Sequence, residues 1–198
     1  MVEQKRLVTI PRTNGYYDNW KDRLIKAFKD TEAVLTGIYR LSSGQTSNYY
    51  IDARRVTLHF DGLSAIVAAV EQITEDNDLK FDSIGGPTLG ADPIVSALIS
   101  EMYSVIPVEK GFLVRKKSKD HGTQKLIEGH ITKDYLLVED VITTGQTLLN
   151  CIEIIGRPPV ATVTVLDRSE GEIREYCKAI NIGYFPLLTL EDLGVQRN

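Results

Sequence analysis

Cysteine is scarce in this chain, with two in 198 residues, Cys151 and Cys177. Neither belongs to a CxxC pair or neighbours histidines at metal-ligand spacing, which excludes a disulfide framework and a zinc finger. Both fall in apolar-periodic segments, which predicts buried thiols. Long apolar runs are missing as well. No stretch approaches the ~20 residues that cross a bilayer, and the opening MVEQKRLVTIPRTNGYY lacks the apolar core of a secretion signal. The expectation is a cytoplasmic protein with no membrane contact. Excess positive charge is absent too, since 23 Lys and Arg face 27 Asp and Glu for a net charge of −4. Broad nucleic-acid binding needs clustered cations to neutralise phosphates, so nucleic acid is not an expected partner. Against that background one basic cluster stands out, Arg115-Lys116-Lys117-Ser118-Lys119, and it suggests a small, highly charged anion.

What is present is the ordinary balance of a soluble globular protein, 42% hydrophobic and 25% charged. The length suits one well-buried core, so a single domain over residues 1–198 is expected. Asp18 is placed to cap a helix reaching about residue 36, with Trp20, Leu24, Ala27 and Phe28 on one face and Gly37 stopping it. LSSGQTSNYYIDARRVTL reads as a loop or hairpin followed by extended chain. Asp61 opens another helix, with Leu63, Ile66, Val67, Val70 and Ile73 at helical spacing. From there strands and helices alternate: FDSIGG, GFLVRKK, YLLVED, VATVTVLDR and IGYFPLLTL are strands, and GADPIVSALISEMY, TLLNCIEII and EIREYCKAI are helices. Such alternation predicts an α/β fold with a mainly parallel sheet flanked by helices.

In such sheets ligands bind outside the carboxyl ends of the strands. Four polar segments, SIGGPTLGAD, VRKKSKDHG, VEDVITTGQT and VLDRSEG, all begin at those ends. The third is the most specific: a buried strand, the carboxylates Glu139 and Asp140, then Thr143, Thr144, Gly145, Gln146 and Thr147 opening a helix. Backbone N–H groups there are placed to cradle a phosphate, with Gly145 permitting close approach. Carboxylates beside a phosphate loop make sense when the ligand also presents hydroxyls or a metal, as a ribose phosphate does. The GxxxxGK[ST] pattern of a Walker loop is absent.

These segments resemble type I phosphoribosyltransferases. LSSGQTSNYYIDARRVTL, GGPTLGADPI, RKKSKDHGTQKLIEG, EDVITTGQT and VLDRSEG look like the corresponding segments of orotate phosphoribosyltransferases, in the same order across most of the chain. The resemblance implies a type I phosphoribosyltransferase-like sheet with a small N-terminal hood over about residues 1–60. It further implies a Mg2+-dependent enzyme acting on orotate and phosphoribosyl pyrophosphate (PRPP), and a homodimer whose Lys119 and His121 complete the partner's site.

By that resemblance Glu139 and Asp140 hold the ribose hydroxyls and order water around Mg, and no residue binds the metal directly. Thr143, Thr144, Gly145, Gln146 and Thr147 hold the 5-phosphate, and Val141 and Ile142 belong to the same PRPP-binding segment. Arg115, Lys116, Lys119 and His121 contact pyrophosphate, the Lys-Asp-His-Gly sequence from Lys119 reads as a mobile lid, and Thr88, Leu89 and Gly90 form a pyrophosphate loop. Arg168 takes the orotate carboxylate, with Thr143 close to the base. Lys119, His121 and Asp140 are the expected catalytic groups. Ser42 and Leu89 stand where other members carry lysine. Tyr49 and Tyr50 are expected beneath the base or in the core, while His59, His130, Arg54 and Arg55 receive no role. The competing readings are a phosphoribosyltransferase for another base and a PRPP-sensing regulator.

Overall fold

A computed structural model describes residues 19–40, 46–102, 108–116 and 125–196. The chain begins with helix α1, Trp20–Asp30, where Asn19 Oδ1 accepts from the Asp22 N–H at 3.3 Å. Asp18, the expected cap, lies outside the described residues. The helix is shorter than its apolar spacing predicts. Thr31 and Glu32 end it, Glu32 with φ of 50°, and the chain turns into strand β1, Val34–Arg40. β1 pairs antiparallel with β2, Thr46–Ile51, and its register shifts between Thr36 and Tyr39, around Gly37. Gly37 therefore lies within a strand instead of stopping a helix. The reason is non-local: Val34, Leu35 and Thr36 find ladder partners at Ile51, Tyr50 and Tyr49 that a helix would forgo.

The expected extended chain after the hairpin is instead a single helical turn, α2 (Arg54–Thr57), closed by the Val56 and Thr57 N–H groups on Ala53 O. Helix α3, Phe60–Asp76, follows, one residue earlier than Asp61 suggests. The alternation then runs as predicted: β3 (Ser83–Pro87), α4 (Asp92–Met102), β4 (Lys110–Val114), β6 (Tyr135–Ile142), α5 (Gln146–Ile155), β7 (Ala161–Asp167), α6 (Glu172–Ala179) and β8 (Gly183–Thr189). A three-residue strand without a sequence signal, β5 (Ile127–Gly129), pairs antiparallel with the edge strand β4.

The large sheet has the order β5-β4-β3-β6-β7-β8, parallel throughout except for β5. In chain order its parallel strands occupy positions 2-1-3-4-5, so the connections diverge between β3 and β6, opening a crevice at their carboxyl ends. Both faces are covered, and over residues 135–138 the period-two alternation of β6 divides its side chains between them. Leu136 and Val138 pack with α1, α3 and α4 through Leu24, Phe28, Ile66 and Leu98. Tyr135, Leu137 and Ile142 pack with α5 and α6 through Leu148, Cys151, Ile173 and Cys177. Burying side chains of this size contributes about 1.5–3 kcal/mol each, which makes β6 a rigid base for the residues at its end. Both cysteines are free and buried, and burial pushes the Cys151 thiol up to about 12.

Candidate active site

Glu139 and Asp140 are adjacent near the carboxyl end of β6 and line one cleft. Glu139 is 5% exposed, and its Oε2 is buried without a hydrogen-bond partner. Burial first, then the neighbouring charge of Asp140, raises its carboxyl to about 8, with Lys116 pulling it back down. Burial likewise raises Asp140, while the Val141 N–H at 2.8 Å and the nearby Arg54 lower it. Two adjacent carboxylates that bind protons this tightly form a site short of positive charge or of donors.

The loop after β3 reaches the same place. A Cβ on Gly90 would overlap the Asp140 carboxylate, so glycine is what lets the two loops touch. Thr88 is tied on both sides: its N–H donates to Val114 O at 3.0 Å and its hydroxyl to Asp92 Oδ2 at 3.0 Å. The Thr88–Leu89 peptide bond is cis. Leu89 is 69% exposed and brings no charge to the site.

Between these loops lies an open cleft of about 530 Å³, lined by Thr88, Leu89 and Gly90, by Lys116, by Glu139, Asp140, Val141 and Thr147, and by Tyr50, Ile51, Asp52, Ala53 and Arg54 of the hairpin side. An adjoining cavity of about 470 Å³ shares Pro87, Lys116 and Thr147 and adds Arg115, Gln146 and Asn150. The cations expected to meet an anion thus border the carboxylates, although Arg115 Nε is engaged with Glu128 Oε1 at 3.0 Å. Lys119 and His121 lie outside the described residues, as do Ser42, Ser43, Gly44 and Gln45.

The phosphate-loop residues keep the form their sequence suggests. Thr143 and Thr144 are exposed, Gly145 precedes α5 with φ of 76°, and the helix starts without a side-chain cap from Gly145. The Thr144 hydroxyl accepts from the Gln146 N–H at 3.4 Å, and the remaining first-turn amides are available to an outside anion.

Arg168 sits just beyond β7, where its N–H donates to Ile142 O at 2.7 Å and joins the ends of β6 and β7. Its guanidinium carbon lies 4.9 Å from the centre of the Tyr49 ring, and its Nε is buried without a partner. Alternation along β2 separates the two tyrosines: Tyr49 is buried against Arg168, whereas Tyr50 faces the cleft. Arg168 and Thr143 are not among the residues that line that cleft; they follow the carboxyl ends of β7 and β6. Asp52 and Arg54 also line the cleft, although the sequence of their segment assigned neither a role.

A switch-point crevice joining paired carboxylates, a Thr/Gly helix start and a second loop is chemically suited to a sugar phosphate. Residues 59–183 match the family described as "Phosphoribosyl transferase domain". The chain is 36% identical over 178 residues to the orotate phosphoribosyltransferase of Pyrococcus horikoshii, covering 87% of this chain and 92% of that protein. It is 40% identical over 168 residues to the orotate phosphoribosyltransferase of Corynebacterium glutamicum, covering 82% and 88%. The crystal structure of the Mycobacterium tuberculosis orotate phosphoribosyltransferase in complex with 5-phospho-alpha-D-ribosyl 1-diphosphate superposes with a TM-score of 0.66 at 30% identity, covering 89% of this chain and 99% of that one. The chain belongs to the phosphoribosyltransferase family and, within it, to the orotate phosphoribosyltransferases.

Proposed function

We propose that this chain transfers the phosphoribosyl group of PRPP to the ring nitrogen of orotate, forming orotidine 5-phosphate and pyrophosphate in pyrimidine (UMP) biosynthesis. The observation that carries the reading is the meeting of Asp140 with Gly90 across the β3/β6 switch point, which puts the ribose-binding carboxylates against the pyrophosphate loop.

Each part of PRPP has a counterpart. The first-turn amides of α5, with Thr143, Thr144 and Thr147, receive the 5-phosphate. Glu139 and Asp140 accept from the ribose hydroxyls. Lys116 and Arg115 face the pyrophosphate, where charge grows as the bond to C1 breaks; the roles of Lys119 and His121, outside the described residues, rest on the family resemblance alone. Arg168, stacked on Tyr49, presents its donors to the orotate carboxylate. No protein nucleophile is needed, because orotate itself attacks.

The donor set also suits Mg2+. Glu139 Oε2 is buried and unpartnered, and carboxylate oxygens are the hard ligands this ion prefers. Bound with PRPP near Glu139 and Asp140, the ion would neutralise charge on the departing pyrophosphate.

A homodimer with shared sites accords with two apolar side chains beside α2, Leu58 and Phe60, which are 74% and 78% exposed. No helix among the described residues is long and apolar enough to cross a membrane. The cytoplasm, where a soluble biosynthetic enzyme would meet its substrates, is the proposed location.

The test is to supply orotate, PRPP and Mg2+ and follow loss of orotate absorbance, repeating with adenine, hypoxanthine and uracil under chromatographic detection. Turnover of orotate alone is expected. Turnover of another base would discard the Arg168 assignment, and PRPP binding without turnover would favour a regulator. A second expectation concerns Gly90→Ala: the added methyl displaces the Asp140 carboxylate, so PRPP should bind about tenfold more weakly by calorimetry while stability falls by no more than about 1 kcal/mol. Unchanged PRPP affinity would show that Asp140 does not need that contact.

A further inference from the structure

The cleft holds three carboxylates, Asp52, Glu139 and Asp140, against two cations among its described lining residues, Lys116 and Arg54. A ligand carrying a diphosphate brings several negative charges into that already acidic space, so every available cation matters. Lys116 follows β4. Arg54 comes from the opposite part of the chain, at the start of α2 after the hairpin.

Arg54 is fixed at one atom and open at the others. Its Nε donates to Asp52 Oδ1 at 3.2 Å, and Asp52 is itself only 26% exposed, so the base of the guanidinium is anchored. A guanidinium has five donors in a planar fork. Among the described residues only Nε has a hydrogen-bond or ion-pair partner, and both terminal nitrogens are open to the cleft. The charge is felt where the chemistry lies, because Arg54 stabilises the ionised form of Asp140. Its neighbour Arg55 shares that carboxylate only at long range, with Nε 4.0 Å from Asp52 Oδ2, and donates to Thr31 O and Glu32 O at 3.4 and 3.2 Å, bracing the end of α1 against the hairpin. Leu89, exposed in the same cleft, supplies no competing cation.

We propose that Arg54 is a substrate-binding residue whose terminal N–H groups grip the diphosphate of PRPP, with Asp52 as the residue that positions it. The assignment rests on the phosphoribosyl-transfer reading above. A bidentate guanidinium–phosphate pair explains why an arginine anchored at Nε suits this place: the anchor orients the fork, and the outer edge matches two phosphate oxygens. The terminal edge of Arg54 is thus the hairpin side's contribution to a diphosphate site whose other wall is the loop containing Thr88 and Gly90.

The test compares Arg54→Ala, Arg54→Lys and Arg55→Ala with the unaltered chain, measuring pyrophosphate and PRPP binding by calorimetry, and KM for each substrate with kcat. Arg54→Ala should weaken pyrophosphate binding about thirtyfold and raise KM for PRPP about tenfold, leaving KM for orotate within about twofold. Arg54→Lys should recover only part of the loss, because it keeps the charge and loses the fork. Arg55→Ala should leave pyrophosphate affinity unchanged. Melting curves identify any variant that fails to fold, and in that case Arg54→Lys alone decides the matter: full pyrophosphate affinity in it overturns the bidentate grip. Pyrophosphate affinity within twofold of the unaltered chain in a folded Arg54→Ala overturns the proposal while the transfer reading stands. Failure of the unaltered chain to bind PRPP or turn over orotate would overturn both.

Discussion

Arg168→Ala should reduce kcat/KM for orotate by about a thousandfold while leaving pyrophosphate affinity within twofold. The effect is large because the guanidinium is half-buried: it lies against the Tyr49 ring, and its Nε is buried with no partner among the described residues. An orotate carboxylate reaching it meets a cation already partly desolvated in folding, so pairing costs less further reorganisation. Removing the cation leaves the carboxylate buried and unpaired, a loss on the order of 2–5 kcal/mol. Arg168→Lys should recover less than a tenth of the lost activity, since an ammonium neither stacks flat on Tyr49 nor offers two parallel donors. Steady-state kinetics with orotate varied at saturating PRPP provides the measurement. A kcat/KM within fivefold of the parent in Arg168→Ala would remove Arg168 from the base pocket and reopen the question of which base is used.

Local and non-local requirements differ in what sequence could reveal. EDVITTGQT was legible because each requirement is local: an apolar run buries as a central strand, and a Thr/Gly turn at its carboxyl end starts a helix. GGPTLGAD was legible for the same reason, and the pattern of alternating elements placed both loops on one rim. Arg54 and Asp52 carried no such signal. They reach the cleft because the hairpin folds back beside β3 and β6, and nothing in IDARR encodes that contact. The misplaced end of α1 has the same origin. Leu35 falls at helical spacing from earlier apolar residues, yet its pairing with Tyr50, fifteen positions along the chain, decides its conformation. β5 escaped notice because three residues beside an edge strand are too few to show a period. Tyr49 and Tyr50 lie between these cases: alternation predicts that they face opposite ways, but not that one would cover an arginine and the other line the cleft.

Glu139→Gln should make the ligand-free protein more stable at alkaline pH and a poorer enzyme at every pH. The Glu139 carboxyl titrates at about 8 in the folded chain against an ordinary 4.5, chiefly because it is buried. Between those values the folded protein holds a proton that the unfolded chain has released, so the free energy of unfolding falls as pH rises. The favourable contribution is complete below about 4.5 and gone above about 8. Glutamine has nearly the same shape and no charge to bury. At pH 5 the variant and parent should therefore melt within a degree or two of each other. At pH 9 the variant should gain on the order of 2–4 kcal/mol, discounted from the full shift because Lys116 already offsets part of the buried charge. For a chain of this length that is an increase of roughly 5–10 °C in Tm. Turnover should fall about a hundredfold, because an amide oxygen is a weaker acceptor for ribose hydroxyls than a carboxylate and carries no charge for a cation. A stabilisation of equal size at pH 5 and pH 9 would mean that Glu139 is not held protonated by its burial. A stabilised variant with full turnover would mean that its charge is not used in the reaction, leaving Asp140 to meet the ribose alone.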